Sequence, residues 1–339
     1  MKILILKPSS LGDVIQALPV LRLLKRHFPS SEIYWWIESR LAGLLEGDPD
    51  LTGVVRFERQ RWATPLHWPE LWRSVLWLRQ QRFDWVIDLQ CLARSAAIGW
   101  LANGDFFVGL DETREGARGF YDVSVPRPEG IPHAVDRYLA VLNRLGVPRH
   151  WNFEWLPARP QVATEVMRKW PLARGRWLTV QPGARWPNKR WPVEYFCELT
   201  RLLAGRFSEH RFAILGGAED RPLGEIIARS APERCLDLTG QLSLAEMVEW
   251  IRLSDLMVTN DTGPMHVAAA LGKSVVALFG PTDPRRTGPY GQLERTLRLD
   301  LPCAPCLKSH CGYAQPFECL RGLKPAVVLE AVEKRLSHC

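Results

Sequence analysis

Short β-branched and aromatic runs alternate with segments of helical periodicity along almost the whole chain, and that alternation admits few folds. A strand, a crossover helix and a second strand make a βαβ unit, and repeated units build a parallel sheet covered by helices on both faces. In the first half the runs Lys2–Lys7, Glu32–Glu38, Trp85–Leu89 and Phe106–Leu110 read as strands. Leu11, Val14, Ile15, Leu18 and Leu21 recur at helical spacing after the first of them, and Pro19 is expected to kink or shorten that helix. A further helical pattern runs from Ile131 to Gly146. The second half repeats the plan with strands at Trp177–Gln181, Arg211–Gly216, Leu256–Asn260 and Ser274–Phe279. Ser243 and Glu246 form a capping box ahead of Met247 to Leu253, and Gly272 closes a helix that begins near Thr262.

A chain of 339 residues accommodates two such α/β halves. The proline-rich stretch Pro148–Pro171 reads as the linker, which predicts one domain over 1–160 and a second over 161–322. The closing segment 323–339, helical over Lys324–Leu336, is expected to pack back on the first domain. No short-period repeat is present, so solenoids and propellers are excluded. No apolar run reaches the length of a membrane span, no export signal is visible, and eight cysteines then point to a reducing, cytoplasmic setting. The net charge of +7 favours an anionic partner: phosphate, nucleic acid or an acidic membrane surface.

Ligands of open parallel sheets bind at the carboxyl ends of the strands, so the chemistry is sought in the loops that follow them. Neither GxGxxG nor GxxxxGK[ST] occurs, which argues against dehydrogenases and P-loop NTPases. Lys7-Pro8-Ser9-Ser10-Leu11-Gly12-Asp13 passes from strand to helix and presents a carboxylate at the first turn; capping by Ser10 or Asp13 explains it equally well. Gln181 to Pro192 carries Arg185, Lys189 and Arg190 among prolines and tryptophans, a clamp suited to a diphosphate. In Gly216-Gly217-Ala218-Glu219 an acid follows two glycines, where it can accept from ribose hydroxyls. Asn260-Asp261-Thr262-Gly263-Pro264-Met265-His266 opens an Ala-rich helix, whose N–H groups and dipole favour phosphate, with His266 in its first turn. A nucleoside diphosphate pocket in the second half, with Asp13 opposite as base across an interdomain cleft, suits sugar transfer.

Several ordered segments together resemble glycosyltransferase family 9, the bacterial lipopolysaccharide heptosyltransferases: KPSSLGDVIQALPVL, DWVIDLQCLARSAA, HAVDRYLAVLNRLG, PGARWPNKRWP and NDTGPMHVAAALGKSVVALFGPTDP. The resemblance spans nearly the whole chain. It implies an α/β GT-B fold of two Rossmann-like domains. It also implies inverting transfer of heptose from ADP-L-glycero-D-manno-heptose to the lipopolysaccharide inner core, on Kdo or the first heptose, with no metal or cofactor. By position, Asp13 resembles the family's general base and Lys189 the lysine on the donor phosphates. Glu219 resembles the acid on the adenosine ribose, Leu242 lies where an apolar residue meets adenine, and Asp261, Thr262, Gly263 and His266 match the donor-binding run. Ser10, Gly12, Arg56, Arg59 and Arg61 are the expected acceptor contacts.

The stretch Arg56–Arg82 sets six arginines against two glutamates, a local charge of +4. Trp68, Trp72, Leu76 and Arg79 fall on one helical face within it, which fits either an amphipathic core helix or peripheral contact with the inner membrane that carries the acceptor. Cys303, Cys306, Cys311 and Cys319 have partly metal-like spacing, but the wide last gap favours structural or reduced cysteines over zinc. Two other classes compete: a GT-B nucleotide-sugar isomerase or epimerase, which needs the phosphate pocket and no lipid acceptor, and a basic nucleic-acid-binding protein. The second has no recognisable DNA or RNA module to support it, so nucleic acid is not expected as a partner.

Overall fold

The computed structural model describes residues 1–111, 114–130, 132–170 and 176–337. The predicted helix start at Ile131, the linker end at Pro171 and the last two residues of 323–339 lie outside them. The chain divides into two compact units, Met1–Pro157 and Ala158–Cys339.

In the first unit the strands are β1 (Lys2–Leu6), β2 (Glu32–Glu38), β3 (Gly53–Phe57), β4 (Trp85–Asp88), β5 (Phe106–Leu110) and β6 (Val123–Val125). In the second they are β7 (Arg176–Gln181), β8 (His210–Ile214), β9 (Cys235–Asp237), β10 (Leu256–Asn260), β11 (Ser274–Phe279) and β12 (Thr296–Arg298). Every pairing is parallel, in the orders β3-β2-β1-β4-β5-β6 and β12-β11-β10-β7-β8-β9. These are two Rossmann-like sheets of the GT-B type. The connecting helices are α1 (Leu11–His27), α2 (Trp68–Gln81), α3 (Ala93–Ala102) and α4 (Ala134–Arg144), then α5 (Pro160–Lys169), α6 (Val193–Arg206), α7 (Arg221–Ala228) and α8 (Leu244–Leu253). The last four are α9 (Gly263–Ala270), α10 (Pro284–Thr287), α11 (Glu318–Arg321) and α12 (Pro325–Leu336).

All eight strands expected from apolar runs lie inside the sheets. The four that sequence reading missed, β3, β6, β9 and β12, are the four sheet edges. An edge strand pairs on one side and stays partly wet, so β9 and β12 have no fully buried residue and no continuous apolar signature. Pro19 neither ends nor shortens α1. Every residue from Val14 to Leu24 is buried, so packing on all sides holds the helix through the one hydrogen bond that proline forgoes. Arg22 is buried with them and satisfied by Asp48, by Asp50 at 2.7 Å and by the Trp155 carbonyl at 3.0 Å.

Two expectations about the second half are corrected. The linker reading of 148–171 takes in α5, whose Pro160 occupies the first turn, where a missing N–H costs nothing. Val166 of α5 is buried, and the helix packs on α8. The closing helix belongs to the core of the second unit: Val328 and Val332 are buried there with Phe196, Leu199 and Leu203 of α6. The Trp191 indole donates to the Leu323 carbonyl at 2.8 Å, which fixes where α12 begins. A helix at the end of a chain has no following strand to reveal its partner, and its apolar face fits any uncovered sheet.

Val332→Ala is therefore expected to destabilise the second unit by about 2 kcal/mol through lost burial and a residual cavity. Amide-exchange protection measured on the variant should fall across α6, β10 and β11 and stay unchanged across β1 and β4.

Candidate active site

The loops after β7, β10 and β11 meet around one ion pair. Lys189 Nζ lies 2.6 Å from Asp261 Oδ2, the same oxygen that accepts from Thr282 Oγ1 at 2.6 Å. Asp261 is buried and Lys189 partly exposed, so the carboxylate holds the ammonium at the surface of the loops with two of its three N–H donors uncommitted to Asp261. The ammonium also lies 4.8 Å from the centre of the Trp186 ring. Asn260, at the end of β10, fixes the distance between these loops. Its Nδ2 donates to the Pro182 carbonyl at 2.7 Å, and its Oδ1 accepts from the Trp191 backbone N–H at 3.1 Å, clamping both ends of the cationic loop.

Thr262 precedes α9 in extended conformation, and its side chain does not cap the helix. Pro264 has no N–H and that of Met265 donates to the Thr262 carbonyl at 3.2 Å, so the turn presents the Gly263 N–H and the positive end of the dipole beside Asp261 and Lys189. His266 is buried in that first turn.

A second patch forms after β8 and β9. Glu219 is exposed in the turn Ala218–Asp220, and Leu242 is half-buried just ahead of α8. The Gly240 N–H donates to the Gly216 carbonyl at 2.9 Å, laying the Leu242 loop against the Glu219 turn. Gly240 has φ +67°, and a Cβ there would stand 2.9 Å from the Ala218 Cα, so glycine is required twice over. Asp220 faces inward, accepting from the Gly217 N–H at 3.1 Å. Burial and neighbouring Glu219 hold its carboxyl above the usual aspartate range, against the pull of that N–H and of Arg190. A Cβ on Gly183 would lie 2.2 Å from Asp220 Oδ2, so the cationic loop and the Glu219 turn pack through this one carboxylate.

In the first unit Asp13 is half-buried in the first turn of α1. One carboxylate oxygen accepts from the backbone N–H and the hydroxyl of Ser10, at 3.0 and 2.6 Å, and the other from Tyr138 Oη of α4 at 3.1 Å. The capping reading and the chemical reading thus fall on the same group. Lys7 is buried, with its Nζ 4.7 Å from the Tyr138 ring centre and 3.1 Å from the Leu89 carbonyl. Burial pushes its pKa down, but Tyr138 and Asp13 outweigh that and hold it above the usual lysine value. Gly12 is buried against this turn and Ser10 exposed at its rim.

Of the three arginines expected to contact the acceptor, Arg56 pairs with Glu46 at 2.5 Å, Arg61 with Glu70 at 2.6 Å, and Arg59 is exposed. The structure therefore brings Lys189, Asp261, Thr262 and Gly263 into one cluster, and Glu219 and Leu242 into another. Lys7, Tyr138, Asn260, Asp220 and Thr282 lie in segments that the sequence singles out, but sequence reading gave them no role. Thr282 and Lys7 each closely follow an apolar strand, which is a legible signal; Tyr138 sits mid-helix, far in sequence from Asp13, and nothing local marks it.

The model of glycosyltransferase family 9 (heptosyltransferase) matches residues 70–315. The chain belongs to glycosyltransferase family 9. It is 33% identical to lipopolysaccharide heptosyltransferase 1 of Pseudomonas aeruginosa, over 94% of this chain and 89% of the relative. It is 31% identical to lipopolysaccharide heptosyltransferase 2 of Salmonella typhimurium, over 100% and 99%. Among solved structures, the Escherichia coli heptosyltransferase WaaC with ADP aligns with a TM-score of 0.80 at 25% identity, covering 99% of this chain and 100% of that one. The transferase's family thus agrees with the resemblance carried by its motifs, and the isomerase and nucleic-acid readings gain no support from these relatives.

For this transferase, Gly183→Ala is expected to lower stability by about 1–3 kcal/mol, since the added methyl overpacks against Asp220. In Gly183→Ala/Asp220→Ala the clash is gone, so denaturant midpoints should show the two changes strongly non-additive. Additive effects would place the two loops out of contact.

Proposed function

We propose that the protein transfers heptose from ADP-L-glycero-D-manno-heptose to the inner core of lipopolysaccharide, with inversion at the anomeric carbon. The observation that carries this reading is the Lys189–Asp261–Thr282 node beside the uncapped start of α9, because it offers a preset ammonium and the positive end of a helix to a leaving diphosphate. In this reading the second unit binds the donor. Lys189 and the first turn of α9, with Thr262, Gly263 and His266, take the phosphates; Glu219 takes the ribose hydroxyls and Leu242 the adenine face. Asp13 takes the proton from the acceptor hydroxyl, whose oxygen forms the new bond to the anomeric carbon as the bond to the diphosphate oxygen breaks. Ser10 and Tyr138 orient that carboxylate, and its remaining lone pairs accept the proton. The positive charges needed by the leaving group come from the chain itself, so the reaction proceeds without metal. Ser10, Gly12, Arg56, Arg59 and Arg61 receive the anionic acceptor, with Arg59 the most available of the three arginines.

The reading extends to where the enzyme works. No helix among the described residues is long and apolar enough to cross a membrane. The helix α2 instead has two apolar faces. Val75 and Leu78 are buried in the core, while Trp68 is 58% exposed, Trp72 56% and Leu76 41%, next to Leu66 at 82% in the preceding turn. The face of Trp68, Trp72 and Leu76 is thus not the core face of this helix; Val75 and Leu78 are, and the exposed face is what supports the membrane reading. Exposed indoles flanked by Arg59, Arg73 and Arg79 suit the interface of an anionic bilayer, at the cytoplasmic face of the inner membrane.

Incubation with ADP-heptose and defined truncated lipopolysaccharides, followed by mass spectrometry, is expected to show one heptose added to one acceptor. No addition to any inner-core acceptor would overturn the assignment. Asp13→Asn should lower turnover roughly 10²–10⁴-fold while leaving ADP affinity intact. Lys189→Ala should instead weaken ADP binding roughly ten- to a hundredfold, along with the rate. Trp68→Ser/Trp72→Ser should lose co-flotation with anionic vesicles and keep full activity on a soluble truncated acceptor; unaltered flotation would remove α2 from the membrane contact.

A further inference from the structure

The stretch from 299 to 317 contains neither helix nor strand, and from 299 to 319 no residue reaches full burial. A segment of this length without secondary structure inside a compact domain needs some other means of being held. Leu299 packs on the core of the second unit at the start of the stretch, but beyond it Leu307 and Tyr313 are exposed. What the stretch does concentrate is sulfur. Cys303, Cys306, Cys311 and Cys319 all line one cavity of about 190 Å³, together with Asn188 and His310. Cys319 lies within electrostatic range of the other three thiols. All four are free thiols.

We propose that Cys303, Cys306, Cys311 and Cys319 form a tetrathiolate zinc site that fastens the 299–317 stretch against the loops of the second unit. Cys303 and Cys306 have the C-x2-C spacing that chelates one ion from a single turn, and four thiolates select zinc, or iron, over harder metals. Leu307 directly after this pair has φ +56°, a left-handed turn taken without glycine. The Phe317 backbone N–H already donates to Cys311 Sγ at 3.4 Å, the kind of bond that supports a metal-bound sulfur. Among the described residues no three such side chains stand preassembled around one point, so the ion draws them together as it binds. Each thiol releases its proton to solvent, four sulfur–metal bonds form, and no electron is transferred.

The site reaches the loops around Lys189 through three contacts. The Leu307 N–H donates to the Pro281 carbonyl at 2.8 Å, next to Thr282. Asn188, next to Lys189, donates to the Lys308 carbonyl at 2.8 Å. A Cβ at Gly280 would stand 3.0 Å from Cys319 Sγ, so the last cysteine packs against the end of β11. The metal is thus structural, and its loss is expected to loosen the segment that backs Lys189 and Thr282.

The test uses the full chain purified under reducing conditions without chelator. Elemental analysis should find about one zinc per chain, and Cys306→Ser and Cys319→Ser should each lose it and lower the melting temperature. Iron at the same stoichiometry, lost in the same variants, supports the site equally. Because either substitution can impair folding for other reasons, the wild-type protein is also stripped of metal and titrated with Co2+. Thiolate charge-transfer bands and intense d–d bands of a tetrahedral site are expected, and added Zn2+ should protect four thiols from alkylation. A metal-free protein whose thiols stay equally reactive with Zn2+ present, a featureless Co2+ spectrum, or disulfides among these four cysteines would overturn the proposal.

Discussion

A parallel strand cannot return to its neighbour by a tight turn. The chain must cross the sheet, usually through a helix, and it always re-enters from the same end. With every pairing parallel, each sheet therefore delivers its strand-to-helix turns to the carboxyl ends of its own strands. The helices that begin there point their positive ends and unsatisfied N–H groups the same way. This single constraint places Asp13 after β1, Lys189 after β7, Glu219 after β8, Asp261 after β10 and Thr282 after β11. The chemistry of each half is a consequence of connectivity before it is a consequence of any particular side chain.

Connectivity brings loops to one edge without setting their spacing. Buried polar contacts do that. Asn260 is fully buried at the end of a central strand and ties both ends of the 182–191 loop, so the cationic segment does not drift with its own flexibility. Asp261 is shared between Lys189 and Thr282 and joins three loops in one charged node. Asp220 does the equivalent beside the next strand outward, packed between Gly183 and Gly216 so closely that neither tolerates a side chain. The first unit uses the same device: Ser10 and Tyr138 hold Asp13 from two elements, and Tyr138 also receives the buried Lys7 ammonium against its ring. Each is a buried or half-buried polar group whose partners are met, which is when such groups sharpen geometry instead of weakening the fold.

Legibility in the sequence followed burial. Central strands, buried on both faces, write continuous apolar runs, and all eight of these were readable. Edge strands write weaker ones, and all four were missed. The helix α2 shows the same limit differently: its periodicity was plain, but the sequence does not tell which of two apolar faces turns inward. Val75 and Leu78 took the core and left the tryptophans outside. Among candidate site residues, those carried by a strand-to-helix turn were readable, because the turn is local and its position at the sheet edge follows from the fold.

The sequence by itself determined the two parallel sheets, the chemistry-bearing turns and the family, since each depends on short-range pattern or on ordered motifs. Tertiary structure alone decided the rest. It assigned the last helix to the second core, ran α1 through Pro19, paired Arg56 and Arg61 with neighbouring carboxylates, and set four cysteines of an irregular stretch around one cavity. The physical reason is common to all of these. Pattern reports what a segment must hide, whereas the identity of what it meets is fixed by how the folded backbone places side chains, near or far in the chain.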